Sequence, residues 1–221
     1  MLIHNKFEYK PLQRTDGLNG RRYIVGESRP LPSVTTILGK TKDLSHIRAW
    51  QARVGLAEAE KIKAEASNLG NGMHKNLEKH ILGEEMSGSW MSKNLANVII
   101  KQALPKVDEV WGVEVGLYSK ELYAGTTDLI GVHEGIPSIM DFKNSLKDKK
   151  KEWIEDYFMQ LAAYALAHNE MYGTDIRRGV VMIATRELKY QEFIIEGDEF
   201  THYETMWANK LCAYYDQFGK D

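Results

Sequence analysis

The stretch Gly125-Thr126-Thr127-Asp128-Leu129-Ile130-Gly131, followed after a short turn by Ile136-Pro137-Ser138-Ile139-Met140-Asp141-Phe142-Lys143, decides how the rest of the chain is read. Apolar runs flank the turn signal His133-Glu134-Gly135, so the spacing predicts two strands joined by a turn. Side chains of a strand alternate between its faces, so Asp141 and Lys143 share one face and Phe142 enters the opposite layer. Asp128, on the preceding strand, is expected across the ladder from them. Two carboxylates beside an amine are what a divalent-metal phosphodiesterase needs: hard oxygen ligands for the ion, and a cation that holds or activates the attacking water. Asp-x-Lys is also a common solvated ion pair at strand edges, so the surrounding sequence has to decide between the two.

Composition sets the bounds. The chain has 221 residues, 43% of them hydrophobic, which is enough to bury a full core in one domain. No apolar run approaches the length that crosses a bilayer, and the opening Met1-Leu2-Ile3-His4-Asn5-Lys6-Phe7-Glu8 lacks a signal-peptide core. The expectation is a cytoplasmic protein with no membrane partner and no evident organellar targeting. A single cysteine, Cys212, leaves no intramolecular disulfide and no cluster held by several thiolates. The net charge of −2 hides an uneven distribution. Arg21, Arg22, Arg29, Lys40, Lys42, Arg48 and Arg53 crowd the first quarter, and Lys147, Lys149, Lys150 and Lys151 follow the central stretch. A basic rim around an acidic site is compatible with a small total.

Upstream of the centre, residues 7–10 and 22–26 read as strands with 15–20 as their turn. Ser33 after Pro32 is a helix N-cap, and a start carrying Ser33, Thr35 and Thr36 either caps itself or offers hydroxyls to a phosphate. Residues 44–66 read as a long helix broken at Gly55, interrupted at 68–72, and followed by a second helix from Met73 to Leu82. There His74 and Glu78 lie four apart on one face. A helix from Asn94 to Leu104 leads to a strand over Val107–Tyr118, with Val113, Val115 and Leu117 on one side and Glu114 on the other.

Downstream, the composition of Trp153–Tyr172 predicts a helix on which Gln160 and Tyr164 share a face. Strands over Gly179–Thr185 and Tyr190–Ile195 and a helix from Asp198 to about Phe218 complete the chain. The aromatics of that helix are expected in the core. Helix, three strands, helix, strand describes an α/β sandwich built on a mixed sheet.

Taken together, His74 in its Gly-x-Gly-x-His helix, Gly125-Thr126-Thr127-Asp128, Asp141-Phe142-Lys143 and Gln160-Leu161-Ala162-Ala163-Tyr164 resemble the PD-(D/E)XK nuclease superfamily in its RecB-like exonuclease branch. Pro32-Ser33-Val34-Thr35-Thr36-Ile37-Leu38 resembles, within that branch, the mitochondrial genome maintenance exonuclease family and its phage relatives. The motifs fall in the family's order over residues 32–164. The resemblance implies a restriction-endonuclease-like mixed β-sheet flanked by helices, with an N-terminal β-hairpin and helical elaboration. It implies one domain over residues 1–221, with 1–68 the N-terminal part and 69–221 the nuclease core.

The resemblance also implies roles. Asp128 and Asp141 would bind Mg²⁺ or Mn²⁺ with His74, and Glu114 sits where some members place a further carboxylate; Glu78 would stand behind them. Lys143 would contact the water or the scissile phosphate, and Gln160 and Tyr164 would line the site. DNA, mainly single-stranded, is the implied partner, contacted by Ser33, Thr35, Lys40, Lys147 and Arg186. A helicase, polymerase or single-strand-binding protein would work beside it in a phage or its bacterial host, in replication, recombination or repair. Thr127 stands where the superfamily's proline is expected, and relatives with four iron–sulfur cysteines differ from this one-cysteine chain, for which no such cluster is expected. The alternatives to a single-strand exonuclease are a double-strand end-resecting enzyme of the phage recombination type and a catalytically silent DNA-binding subunit.

Overall fold

The computed structural model describes residues 2–3, 6–27 and 29–219. The N-terminal octapeptide read above therefore lies partly outside the described residues. The elements are β1 (Leu2–Ile3), β2 (Gln13–Gly17), β3 (Gly20–Ile24), β4 (Leu31–Pro32), α1 (Val34–Lys40), α2 (Ser45–Val54), α3 (Leu56–Ile81), α4 (Trp90–Gln102), β5 (Val107–Ser119), β6 (Tyr123–His133), β7 (Ile136–Ser145), α5 (Glu155–Tyr172), β8 (Arg178–Thr185), β9 (Tyr190–Glu196) and α6 (Gly197–Phe218). Short 3₁₀ turns at Leu104–Lys106 and Lys151–Trp153 lead into β5 and α5.

A six-stranded mixed sheet in the order β1-β5-β6-β7-β8-β9 forms the centre. β5, β6 and β7 run as an antiparallel meander, and Glu134 (φ 48°) and Gly135 (φ 79°) supply the two left-handed positions that a tight β6–β7 turn demands. α5 then crosses over so that β8 lies parallel to β7, and β9 returns antiparallel to β8. Because helices cover both faces, β8 is buried along its whole length and reads as a continuous apolar run. Its Val180 and Met182 pack with Met140, Phe142, Met73, Leu77, Leu95 and Ile99 on the α3/α4 side. Its Val181 and Ile183 pack with Ile139, Phe158, Leu161 and Trp207 on the α5/α6 side. Phe200, Tyr203, Trp207 and Tyr214 of α6 are core residues, while Tyr215 is partly exposed and donates its hydroxyl to the Leu122 carbonyl.

The second sheet, β2-β3-β4, is antiparallel and docks on β6: Tyr23 and Leu31 bury against Ala124, and Ser33 bridges to Ala124. Its hairpin departs from the expected one. The strands are Gln13–Gly17 and Gly20–Ile24, joined at Leu18-Asn19, and residues 7–10 form no strand. β2 is exposed at every position, so it carries no apolar alternation to announce it.

Two more expectations give way. The helix break at Gly55 (φ 87°) is present, but α3 runs unbroken through residues 68–72, across the expected boundary at 68 and 69. A glycine there costs helix propensity, about 1 kcal/mol relative to alanine. Packing reverses the outcome: a Cβ on Gly72 would stand 2.8 Å from the Ser92 Cβ, so the glycine lets α3 and α4 approach. α4 itself begins four residues earlier than expected, at Trp90, because Ser89 caps it by accepting the Ser92 amide at 3.2 Å.

Candidate active site

β6 and β7 stay paired only from His133–Ile136 to Leu129–Met140. Beyond that point β6 continues on β5 alone and β7 on β8 alone, so the sheet opens along an internal seam. Asp128 is therefore not laddered to β7. Its Oδ2 instead accepts the Phe142 backbone N–H at 2.7 Å, occupying the donor that the missing ladder partner leaves. Asp141 lies 1% exposed beneath the seam, with Oδ1 accepting the Gln160 side-chain amide at 3.1 Å and Oδ2 in contact with the Lys143 ammonium. Phe142, between them, packs in the opposite layer as strand alternation requires.

His74, on the second half of α3, places Nδ1 3.4 Å from Asp128 Oδ1. Glu114 joins them: ligand atoms of His74, Glu114 and Asp128 all lie within 4.8 Å of one another, and this group could hold a metal ion. Glu114 arrives there through a backbone irregularity. It adopts φ 49°, a left-handed conformation uncommon for a residue with a Cβ, and lies opposite Asp128 outside the regular pairing. The same twist reverses the strand's alternation. Val113 packs on the α3/α4 side while Val115 and Leu117 pack on the α5/α6 side, which corrects the expectation that all three share one face.

The electrostatics follow from burial and crowding of like charges. Burial opposes the His74 imidazolium, but the carboxylates of Asp128 and Asp141 outweigh it and raise its pKa to about 9. Burial, with the Asp128 charge added, pushes Glu114 up to about 7. Burial also raises Asp141, to about 6, against the pull of Lys143. Burial would raise Asp128 too, yet His74, Lys143 and the Phe142 amide hold it below the usual carboxylate range. Lys143 loses hydration, but Asp141 and Asp128 more than compensate and hold it above the ordinary lysine value. In the chain by itself Lys143 is thus an ammonium. Imidazole and carboxylate oxygens form a donor set that could hold a metal ion, whose binding would displace the protons that these raised pKa values retain.

A cleft of about 690 Å³ opens over these groups, lined by His74, Glu78, Glu114, Asp128, Lys143, Gln160 and Tyr164. Tyr164 reaches it because Gly125 has no Cβ, which would stand 2.7 Å from the ring. Thr35 lines the cleft, whereas Ser33 is 2% exposed and its hydroxyl accepts the Thr36 amide at 3.0 Å as the cap of α1. Lys40, Lys147 and Arg186 do not line it. Lys40 sits over the Phe218 ring at 4.6 Å and Arg186 pairs with Glu65 at 2.9 Å.

Several lining residues went unnoticed in the sequence. Tyr157 precedes Gln160 by three and Tyr164 by seven on α5, a spacing that shares one helical face and was legible. Arg14 and Tyr23 come from the hairpin, whose offset hides them, and Arg21, legible only as one of the crowded cations, comes from it too.

A second group with metal-ligand chemistry, His133, Glu134 and Glu192, lies at the other end of β6. Its carboxylates are already engaged by cations, Lys106 at 2.7 Å from Glu192 and Arg178 at 3.5 Å from Glu134, so it is a charge network closing the sheet's end.

No family model matches the chain, and none of the curated proteins matches it. Among solved structures it is similar to the protein SSO0001, at 14% identity over 80% of this chain and 74% of that one, with a TM-score of 0.41. It is also similar to a protein of Eubacterium rectale described as "Putative exonuclease", at 15% identity over 80% of this chain and 69% of that one, with a TM-score of 0.37. No helix among the described residues is long and apolar enough to cross a membrane.

Proposed function

We propose that the protein is a divalent-metal-dependent DNA exonuclease of the PD-(D/E)XK, RecB-like type, hydrolysing phosphodiester bonds of single-stranded DNA or frayed ends. The observation that carries this reading is the convergence of His74, Glu114 and Asp128 on one point, with Asp141 and Lys143 alongside, at the opened seam of β6 and β7. A surface ion pair needs none of that company. The cleft has the volume of a site for one small ligand, which suits a nucleotide or two of a single strand.

His74, Glu114, Asp128 and Asp141 would hold Mg²⁺ or Mn²⁺, which when bound supplies positive charge to the phosphate and lowers the pKa of a coordinated water. The chain's own residues do the rest. The Lys143 ammonium donates to a non-bridging phosphate oxygen and offsets charge that grows as water oxygen bonds to phosphorus and the ester oxygen leaves. Gln160 donates to Asp141 Oδ1 at 3.1 Å and so fixes the orientation of the carboxylate beside Lys143. Tyr164 closes the floor and excludes water from behind the site.

The deciding experiment incubates the purified protein with end-labelled single-stranded, duplex and closed-circular DNA, in Mg²⁺ or in EDTA. Shortening of linear single strands in Mg²⁺ only, with closed circles intact, is expected. Linear substrates that all survive in Mg²⁺ and in Mn²⁺ would refute enzymatic activity and favour the silent DNA-binding subunit. Preferential loss of duplex ends would favour the resecting enzyme.

A further inference from the structure

The cleft is lined from two parts of the chain. The helices and the central sheet bring Glu78, Glu114 and Asp128 together with Lys75 and Lys143; the hairpin sheet, as a second wall, brings Arg14, Arg21 and Tyr23. On the hairpin, Arg14 pairs with Tyr23 and Asp16 with Arg21, and Arg14 and Asp16 lie two apart on one strand. All four side chains therefore share one face. Asp16 accepts from Arg14 Nε at 2.8 Å and stands 3.5 Å from Arg21 Nε. One carboxylate thus holds two guanidinium groups side by side and cancels only one of their charges. A guanidinium has five N–H donors, so most remain available to an anion. The wall is also tied to the metal-binding side. The Tyr23 hydroxyl meets the Thr126 hydroxyl at 3.2 Å, two residues before Asp128, and Ser33 bridges to Ala124 on the same strand.

We infer that Arg14 and Arg21 form a phosphate subsite that binds a non-scissile phosphodiester of a nucleic-acid strand while its scissile phosphate lies against the opposite wall. Planar, forked donors recognise phosphate in two-point fashion, and the two guanidiniums together carry more charge and more donors than Asp16 takes up. The subsite rests on the nuclease reading for the identity of the strand, but its own evidence is the charge and placement of the hairpin face. It makes the hairpin part of the substrate grip.

The test is fluorescence anisotropy with a labelled single-stranded oligothymidylate in EDTA, across a range of KCl concentrations, so that no cleavage enters the readout. Arg14→Gln and Arg21→Gln should each weaken binding several-fold and lower the salt slope by about 0.7, the value for one phosphate contact on a single strand. Arg177→Gln, whose guanidinium pairs with Asp175 at 2.9 Å, should bind as wild type does. Asp16→Asn separates grip from scaffolding, because it removes the masking carboxylate and leaves both guanidiniums. Tighter binding is expected; a loss like that of the arginine variants would mean that the trio only holds the hairpin together and would overturn the subsite. Unchanged affinity and slope in both arginine variants would overturn it too. Should the wild type cut DNA while those variants bind normally, only the subsite fails. Should it bind DNA through the arginines yet cut nothing in Mg²⁺ or Mn²⁺, only the nuclease reading fails.

Discussion

The carboxylate of Asp128 takes the place of a β-ladder acceptor for the backbone N–H of Phe142, at 2.7 Å, where β6 and β7 part. One side chain thereby closes a backbone account and, through its other oxygen, faces His74 at 3.4 Å. Structure and chemistry can be separated at this residue by the choice of replacement.

Asp128→Asn keeps an acceptor for Phe142, whereas Asp128→Ala leaves a buried N–H unpaired at a cost of about 1–3 kcal/mol. Urea unfolding at pH 7 should find the alanine variant less stable than the asparagine variant by that amount. In both, the charge that raises His74 is gone, and NMR titration should place its pKa well below the value of about 9 in the parent. A His74 titration that stays near 9 in Asp128→Asn would show that Asp128 is not the cause.

Lys143 touches Asp141 and is held as an ammonium by two carboxylates. Lys143→Ala should lower kcat by about 10²–10³, the usual cost of removing one donor to a developing charge. Affinity for single-stranded DNA, measured in EDTA, should change little. Equal losses in the two measurements would assign Lys143 to binding instead.

Acid stability should depend on Glu192 at the far end of the sheet. Burial opposes its charge, but the His133 ring at 3.5 Å and the hydrogen bonds from Lys106 and Tyr190 overcome this and lower its pKa from 4.5 to about 2. A depressed carboxylate stabilises the fold above its unfolded value and loses that contribution as pH falls through the folded one. At pH 7 the contribution is about 1–3 kcal/mol, the linkage value being the upper bound for a partly solvated, screened group. Glu192→Gln should therefore lie below wild type at pH 7 and approach it between pH 4.5 and pH 2. A gap that is constant with pH would assign the loss to packing.

Gly72 sets propensity against packing. Alanine would gain about 1 kcal/mol as a helix former but would press on Ser92, 2.8 Å away. Gly72→Ala alone should be destabilising by about 1–3 kcal/mol, and Gly72→Ala with Ser92→Gly should recover much of the loss. Thermal denaturation of the four proteins of the cycle measures the coupling; additivity would show that the two residues do not press on each other.

Gly72 also marks where the sequence stops being legible. Period-two alternation was enough to separate Asp141 and Lys143 from Phe142, because β7 is regular there. Spacing on α5 placed Gln160 and Tyr164 on one face, and the order of elements pointed to a mixed sheet between helices. The continuity of α3 was hidden, since two glycines argue locally for a break and only their neighbours Ser92 and Asn144 argue against it. The left-handed turn of the backbone at Glu114 is hidden for a related reason: alternation assumes a regular strand, and nothing in Val113-Glu114-Val115 announces it. The hairpin was offset because β2 is exposed throughout and buries no apolar face that a pattern could reveal.

The opened seam has one further consequence. On one side stand β1, β5 and β6, on the other β7, β8 and β9, and each set keeps its hydrogen bonds to its outer neighbour, while the inner edges along the parting are unladdered and Asp128 takes up the Phe142 donor there. The sheet is in effect two plates meeting along a short hinge, with Asp128 on one plate and Asp141 on the other. Across that parting the Phe142 N–H of one plate already reaches the Asp128 carboxylate of the other, so a single hydrogen bond serves as the clasp between them.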